Sequence, residues 1–315
     1  MSAAERDLVV VAAEQETADV LALGLAAADG SPLPSWQPGS HIDLLLPTGV
    51  ERQYSLSGDP ADSSVWRIGV LRESDGRGGS EWIHQNLGVG AVIRSRGPSN
   101  HFIFAPDARV QFIAGGIGIT PLLPMIRAAE AAGIHWRLSY AGRTRARMAF
   151  LDELSSYGSR VRLHIADENG RLDLPMLLDA LPRHTHLYSC GPASLLDEVE
   201  RLAATRAPGH SHMERFEPKV LSEPVLREAF EVELLLSGRT LTVPEDRSIL
   251  EVVEEAGVFV LSSCREGTCG TCETAVIDGE IDHRDSILSM DEQRMNDRMM
   301  ICVSRSACPR LTLEL

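Results

Sequence analysis

The sequence predicts a multidomain chain of mixed α/β and β class: an antiparallel β-barrel, then a parallel α/β domain, then a β-grasp domain. Three observations carry this. Six short β-like runs fill roughly the first hundred residues, a strand, glycine turn and helix begin at Val110, and four cysteines gather near the C-terminal end. A length of 315 residues accommodates two or three domains. The expected boundaries are 1–105, 106–217, a linker at 218–229, and 230–315.

The barrel rests on runs at Leu8 to Ala12, Val20 to Leu25, His41 to Leu46, Arg52 to Ser57, Trp66 to Leu71 and Ala91 to Ser95, separated by Gly, Pro, Asp and Ser. Short strands at regular spacing favour a closed antiparallel sheet. Arg52-Gln53-Tyr54-Ser55 reads as one strand with Arg52 and Tyr54 on one face. An arginine beside an aromatic suits a flavin phosphate and ring, though many outer strand faces carry such a pair. Asp75-Gly76-Arg77-Gly78-Gly79-Ser80 then leads into a helix over Glu81 to Leu87. Ser80 is the expected N-cap, and amides at such a start bind an anion to which Arg77 adds charge. A plain capped surface helix fits the same residues, and Glu81 in the first turn mildly opposes an anion.

From Val110 the pattern changes. Val110 to Ala114 is an apolar strand, Gly115-Gly116-Ile117-Gly118-Ile119-Thr120 a glycine-rich turn, and Pro121, suited to the first helical position, opens a helix to Ala132. Such a unit places a pyrophosphate at a helix N-terminus. A proline replaces the last glycine of the usual dinucleotide fingerprint, so the motif is a variant. Strands at His135 to Ala141, Val161 to Ala166 and His186 to Ser189 alternate with helices at Phe150 to Tyr157 and Leu174 to Leu181. Cys190-Gly191-Pro192 opens a further helix, Ala193 to Ala204. Alternation of this kind is a parallel α/β domain. His101, His164, His184, His186, His210 and His212 have no metal-ligand spacing and read as structural.

The stretch from Pro208 to Ala229 is polar, broken by three prolines, and reads as a linker with one strand, His212 to Phe216. Beyond it, strands at Phe230 to Ser237, Thr240 to Val243, Thr274 to Ile277 and Leu311 to Leu315, with a helix at Ile249 to Ala256, make the β-grasp domain. Cys264, Cys269, Cys272 and Cys302 read C-x4-C-x2-C-x29-C, the plant-type spacing for a [2Fe-2S] cluster. A structural zinc uses cysteines too, but as two short pairs rather than a triplet and a distant single. Cys190 and Cys308 fall outside this set; Cys308 reads as a packing or late-loop residue, with a stray ligand, given its nearness to Cys302, as the alternative.

Composition narrows the function. There are 30 basic and 45 acidic residues, a net charge of −15, which repels phosphate backbones and argues against a nucleic-acid partner. From Phe230 on, eight arginines face 17 acidic residues, a net of −9, which would steer a basic partner. No apolar run is long enough to cross a membrane and no secretory signal is evident, so a cytoplasmic, monomeric protein is expected.

Together, Arg52-x-Tyr54-Ser55, Gly115-Gly116-x-Gly118-x-Thr120-Pro121, Cys190-Gly191-Pro192 and the cysteine pattern resemble the ferredoxin-NADP reductase superfamily. Within it the chain is most similar to the phthalate dioxygenase and vanillate demethylase reductases, over essentially its whole length. The resemblance implies that Arg52, Tyr54 and Ser55 contact a flavin, with Ser55 near its reactive N5. It implies that Arg77, Gly78, Gly79 and Ser80 hold the flavin phosphate, while Gly115, Gly116, Gly118, Thr120, Pro121, Cys190, Gly191 and Pro192 receive the nicotinamide nucleotide. Ser55, Thr120 and Cys190 would position the reactants. Phe216 sits where this family places an aromatic over the flavin, or is a buried strand residue. FMN is the implied flavin, since the phosphate loop leaves no obvious adenosine site. NADH is the implied donor, although Arg143, Arg145 and Arg147 favour NADPH on charge. Hydride chemistry on one side and a one-electron cluster on the other imply a reductase serving a Rieske-type terminal oxygenase. A cytochrome P450 partner, or a flavin and iron-sulfur redox sensor without turnover, are the alternatives.

Overall fold

The computed structural model describes residues 5–73, 76, 78–207, 209–221 and 223–315. Arg77 therefore lies outside the described residues. The chain divides into two compact units, Met1–Glu214 and Arg215–Leu315.

The first unit begins with β1 (Glu5–Thr17), β2 (Val20–Ala27), β3 (Ser40–Leu45), β4 (Glu51–Ser55), β5 (Trp66–Leu71), α1 (Gly79–Asn86) and β6 (Val92–Asn100). The strands form an antiparallel sheet in the order β4-β3-β6-β1-β2-β5. An antiparallel bridge from Leu56 to Ile68 and a 2.7 Å bond from the Ser57 amide to the Arg67 carbonyl join its two edges, which closes the barrel. Leu8, Leu23, Leu25, Ile42, Leu44, Trp66 and Ile68 fill it. Alternation in β2 works in both directions. Leu21, Leu23 and Leu25 enter the barrel, while Val20 and Ala22 join the neighbouring core, so both faces of this strand are buried.

That neighbouring core belongs to a parallel sheet built from β7 (Val110–Gly115), β8 (Trp136–Gly142), β9 (Val161–Ile165), β10 (His186–Cys190) and β11 (Ser211–Glu214). Around it lie α2 (Leu122–Ala131), α3 (Leu151–Ser155), α4 (Ala166–Asn169), α5 (Leu174–Asp179) and α6 (Ala193–Arg206). The order β11-β10-β7-β8-β9 reverses direction between β7 and β10. Ligands of open α/β sheets bind beyond the carboxyl ends of the strands at such a reversal. The strand expected at His212 to Phe216 is shorter, and it is a full member of the sheet, paired in parallel with β10. Its Ser-His-Met-Glu sequence is half-buried along its length, so no apolar alternation marked it.

The two sheets of this unit meet closely. A Cβ at Gly69 in β5 would lie 2.8 Å from the Thr120 methyl. Arg67 pairs with Glu153 at 2.8 Å, and Arg127 donates to the Ser57 and Gly58 carbonyls at 3.0 and 2.6 Å while also pairing with Glu153.

The second unit contains β12 (Phe230–Leu234), β13 (Arg239–Val243), α7 (Ile249–Glu255), β14 (Glu273–Asp278), β15 (Ile281–Asp282), α8 (Met290–Met295), β16 (Arg298–Met300), β17 (Arg305–Ser306) and β18 (Arg310–Leu313). Its main sheet runs β13-β12-β18-β14-β16, and the central pair β12 and β18 is parallel. Ser248 and Glu251 form a capping box that starts α7, whose Ile249, Leu250 and Val253 join the core.

Candidate functional site

Within the first unit, β4 and α1 make one half of a site. Arg52 lies across the start of α1, where a Cβ on Gly79 would stand 2.8 Å from its Cγ and 2.7 Å from its Nε. The fold thus brings Arg52 to Gly78, Gly79 and Ser80. Gly78 takes a left-handed conformation, φ 78°, that turns the chain into the helix two residues before the expected cap. Ser80 is consequently not the N-cap: it lies inside α1, and its hydroxyl accepts the Glu73 amide at 3.0 Å. First-turn amides beside a guanidinium remain suited to a phosphate. Tyr54 packs against the barrel core, and burial pushes its hydroxyl far above the usual range despite the nearby Arg52.

The other half lies at the β7–β10 reversal. Gly116–Ile119 form a 3-10 turn, and the buried Thr120 caps it by donating from Oγ1 to the Ile117 carbonyl at 2.9 Å. Pro121 is the N-cap of α2 rather than its first helical residue, because the 3-10 turn runs directly into the helix. The two loops touch backbone to backbone. A Cβ on Gly118 would fall 2.3 Å from the Cys190 carbonyl oxygen, and one on Gly115 would fall 2.7 Å from Pro192. Gly118→Ala is therefore expected to destabilise the fold by about 1–3 kcal/mol. A thermal melt showing no loss would contradict this packing.

In the second unit the four cysteines converge. The Cys264 thiol lies beside Cys269 and Cys302, and Cys302 also beside Cys272. These contacts hold the Cys264 and Cys272 thiols below the usual range and push Cys269 and Cys302 above it. Amides point at the sulfurs: Glu266 and Thr268 donate to Cys264 Sγ at 3.3 and 3.4 Å, and Thr271 to Cys269 Sγ at 3.4 Å. Gly267 and Gly270, at φ 70° and 75°, permit this curl. Behind the loop, Ser286 donates its amide to the Gly267 carbonyl at 2.8 Å. The neighbouring Asp285 would be pushed up by burial, yet the His283 ring 3.7 Å away and hydrogen bonds from the Leu288 and Ile287 amides bring its carboxyl below the usual range. Among the described residues no three His, Cys, Asp or Glu side chains are arranged to hold a metal ion. A two-iron cluster asks for no such trio, since each iron takes two thiolates. Cys308 is engaged elsewhere, accepting the Glu280 amide at 3.2 Å.

Residues 232–307 match the 2Fe-2S iron-sulfur cluster binding domain family. Phenoxybenzoate dioxygenase subunit beta of Ectopseudomonas oleovorans is 44% identical over 94% of this chain and 93% of its own length. The solved structure of phthalate dioxygenase reductase, described as modular for electron transfer from pyridine nucleotides to [2Fe-2S], is 35% identical. It covers 99% of this chain and 98% of its own, with a TM-score of 0.70. The chain belongs to the phthalate dioxygenase reductase family. An intact type IV self-sufficient cytochrome P450 monooxygenase also contains its likeness, at 42% identity and a TM-score of 0.92. This reductase covers 41% of that longer chain, against 99% of itself.

One residue of this reductase escaped the sequence reading. Glu214, at the end of β11, accepts a 3.1 Å hydrogen bond from Ser55 Oγ and is paired across the sheet with Cys190. The residue is half-buried by surface area, but its carboxyl end is desolvated, which pushes it up to about 8. Cys190 is fully buried, and burial, with Glu214's charge second, drives its thiol well above the usual range. It is thus a shape element rather than a thiolate nucleophile. No local pattern marked it, since Ser211 to Glu214 is half-buried throughout and carries no apolar alternation. Phe216 itself lies past β11 and is 43% exposed, so it is not a buried strand residue. Of the three arginines after β8, Arg145 pairs with Glu168 at 2.9 Å and Arg147 with Asp19 at 2.6 Å.

Proposed function

We propose that this reductase oxidises NADH and passes the electrons singly, through FMN and a [2Fe-2S] cluster, to a Rieske-type terminal oxygenase. The carrying observation is that one chain joins a dinucleotide-type sheet reversal, beside an arginine-lined helix start, to a quartet of converging thiols. A bound flavin supplies the conversion between hydride and single electrons, which no side chain provides. In this reading Arg52 and the first amides of α1 anchor its phosphate, and Tyr54 lines its ring. Gly115, Gly116, Gly118, Pro121, Gly191 and Pro192 let the dinucleotide approach backbone amides. Ser55, Thr120 and Cys190 set the reactants in near-attack geometry, where alignment carries most of the gain. Glu214 holds or releases a proton beside Ser55. Cys264, Cys269, Cys272 and Cys302 ligate the cluster.

NADH is favoured because two of the three candidate 2′-phosphate arginines already answer to Glu168 and Asp19. The functional divisions are 1–105 for the flavin, 106–217 for the dinucleotide, a linker at 218–229, and 230–315 for the cluster, acting as a monomer. A P450 acceptor is the second reading, favoured by the 42% identity to the self-sufficient monooxygenase.

The test is a visible spectrum, heat-released flavin, and kinetics with both nucleotides. FMN and a kcat/KM at least ~10-fold higher for NADH are expected, a difference of about 1.4 kcal/mol. Released FAD or a preference for NADPH would overturn those assignments, and a colourless zinc protein the whole scheme. Faster oxidation by a P450 than by a Rieske oxygenase would select the second reading.

A further inference from the structure

The segment from His283 to Ser289, which joins β15 to α8, brackets the two halves of the cysteine set. On one side, Ser286 donates its amide to the Gly267 carbonyl at 2.8 Å. That carbonyl and the Thr268 N–H belong to one planar trans peptide and point opposite ways. Holding the first therefore aims the second, which donates to Cys264 Sγ at 3.4 Å. Packing adds to the grip: a Cβ on Gly267 would stand 2.5 Å from a Val303 methyl and 3.2 Å from Asp285 Cα. The middle of the cysteine loop is thus wedged between Asp285 and the residue that follows Cys302.

Asp285 organises this bracket. Its Oδ2 accepts the Ile287 and Leu288 amides at 3.1 and 2.7 Å, closing a side-chain turn that leaves the Ser286 amide free for Gly267. Its Oδ1 accepts the Ser304 hydroxyl at 3.4 Å, two residues beyond Cys302, and the same hydroxyl accepts the Arg284 amide at 3.2 Å. The Asp285 side chain is fully buried, with the His283 ring 3.7 Å from Oδ1. Donors on both oxygens favour the ionised form, so a fixed negative charge sits behind the loop. An asparagine would close the same turn without burying a charge, which is costly to desolvate. The charge itself therefore asks for a role.

We propose that Asp285 is a positioning residue for the [2Fe-2S] cluster, clamping the Gly267 peptide to the segment after Cys302 and, by its buried negative charge, holding the cluster's reduction potential down. Hydrogen bonds to the sulfurs and local net charge both set such a potential, and Asp285 acts on each. This role rests on the four-cysteine assignment above.

The full chain, loaded with flavin and cluster, serves for the test. Paramagnetic resonance during a dithionite titration gives the midpoint potential, and iron release to a strong chelator reads the firmness of the cage. Asp285→Asn, which keeps an acceptor for the turn, should retain the parent's iron content and shift the midpoint potential to more positive values. Asp285→Ala should release iron at least ~10-fold faster than the parent. It leaves the buried Leu288 amide without its acceptor, so where it does not fold the potential of Asp285→Asn decides alone. A residue with a merely structural part would leave that potential unmoved. An unchanged or more negative potential in Asp285→Asn overturns the proposal, as does parental iron release from a folded Asp285→Ala. A parent chain that takes up no iron removes the cysteine assignment itself, and this role with it.

Discussion

Cys302→Ser is expected to abolish electron delivery to one-electron protein acceptors while leaving the oxidation of NADH by small artificial acceptors intact. The variant removes the one proposed ligand contributed from outside the loop at Cys264 to Cys272, a thiol that lies beside both Cys264 and Cys272. The remaining three sulfurs come from a loop that glycines hold in a tight curl, so no neighbouring thiol can replace the fourth. Cys308 cannot serve, because its sulfur is held by the Glu280 amide and lies against the Arg310 carbonyl. The expected readouts are loss of the iron-sulfur absorbance and of the paramagnetic signal after dithionite, and cytochrome c reduction lower by roughly 100-fold or more. Ferricyanide reduction should persist, since the proposed hydride site lies within the first compact unit. The second unit should also melt earlier, because metal binding and folding share their free energy. Undiminished cytochrome c reduction would remove Cys302 from the ligand set.

The second large effect belongs to Glu214→Gln and depends on pH. Burial raises the Glu214 carboxyl to about 8 in the fold, from an ordinary value of 4.5. Below the ordinary value both folded and unfolded chains are protonated, and the group costs nothing. Between the two values the unfolded chain ionises while the folded chain keeps its proton, so stability falls as pH rises, by up to about 1.4 kcal/mol per unit. Above the raised value the loss levels off. Glutamine lacks this titration, so the variant should match the parent near pH 5 and become progressively more stable than it towards pH 8. Melting temperatures across that range measure it. A constant difference would show that the carboxyl is not desolvated. The variant should also lose whatever part of the pH profile of hydride transfer reflects Glu214, while Ser55 keeps an acceptor in the amide oxygen.

What could be read in the sequence was what local chemistry dictates. The cysteine spacing, the glycine turn after β7 and the strands of the barrel each follow from backbone needs within a few residues. β11 was only half legible, because an edge strand of Ser211, His212, Met213 and Glu214 carries no apolar alternation. The part played by Glu214 was not legible at all, since it arises from desolvation by groups distant in sequence. Ser80 shows the opposite failure: a good capping residue was displaced because Gly78, next to it but one, can adopt a left-handed turn. α8 was missed although Ser289 and Glu292 form a capping box, since six residues give little helical period. The paired state of Arg145 and Arg147 likewise depends on acids from other elements.

The Ser55–Glu214 hydrogen bond joins positions 159 residues apart. During synthesis the barrel strand bearing Ser55 emerges long before its carboxyl partner, and the strand that supplies that partner is the last of its sheet. The barrel can close on its own sequence, but the lining beside Ser55 is finished only when the whole first unit has been made. Capture of a cofactor in its working environment is accordingly a late event in the life of the nascent polypeptide.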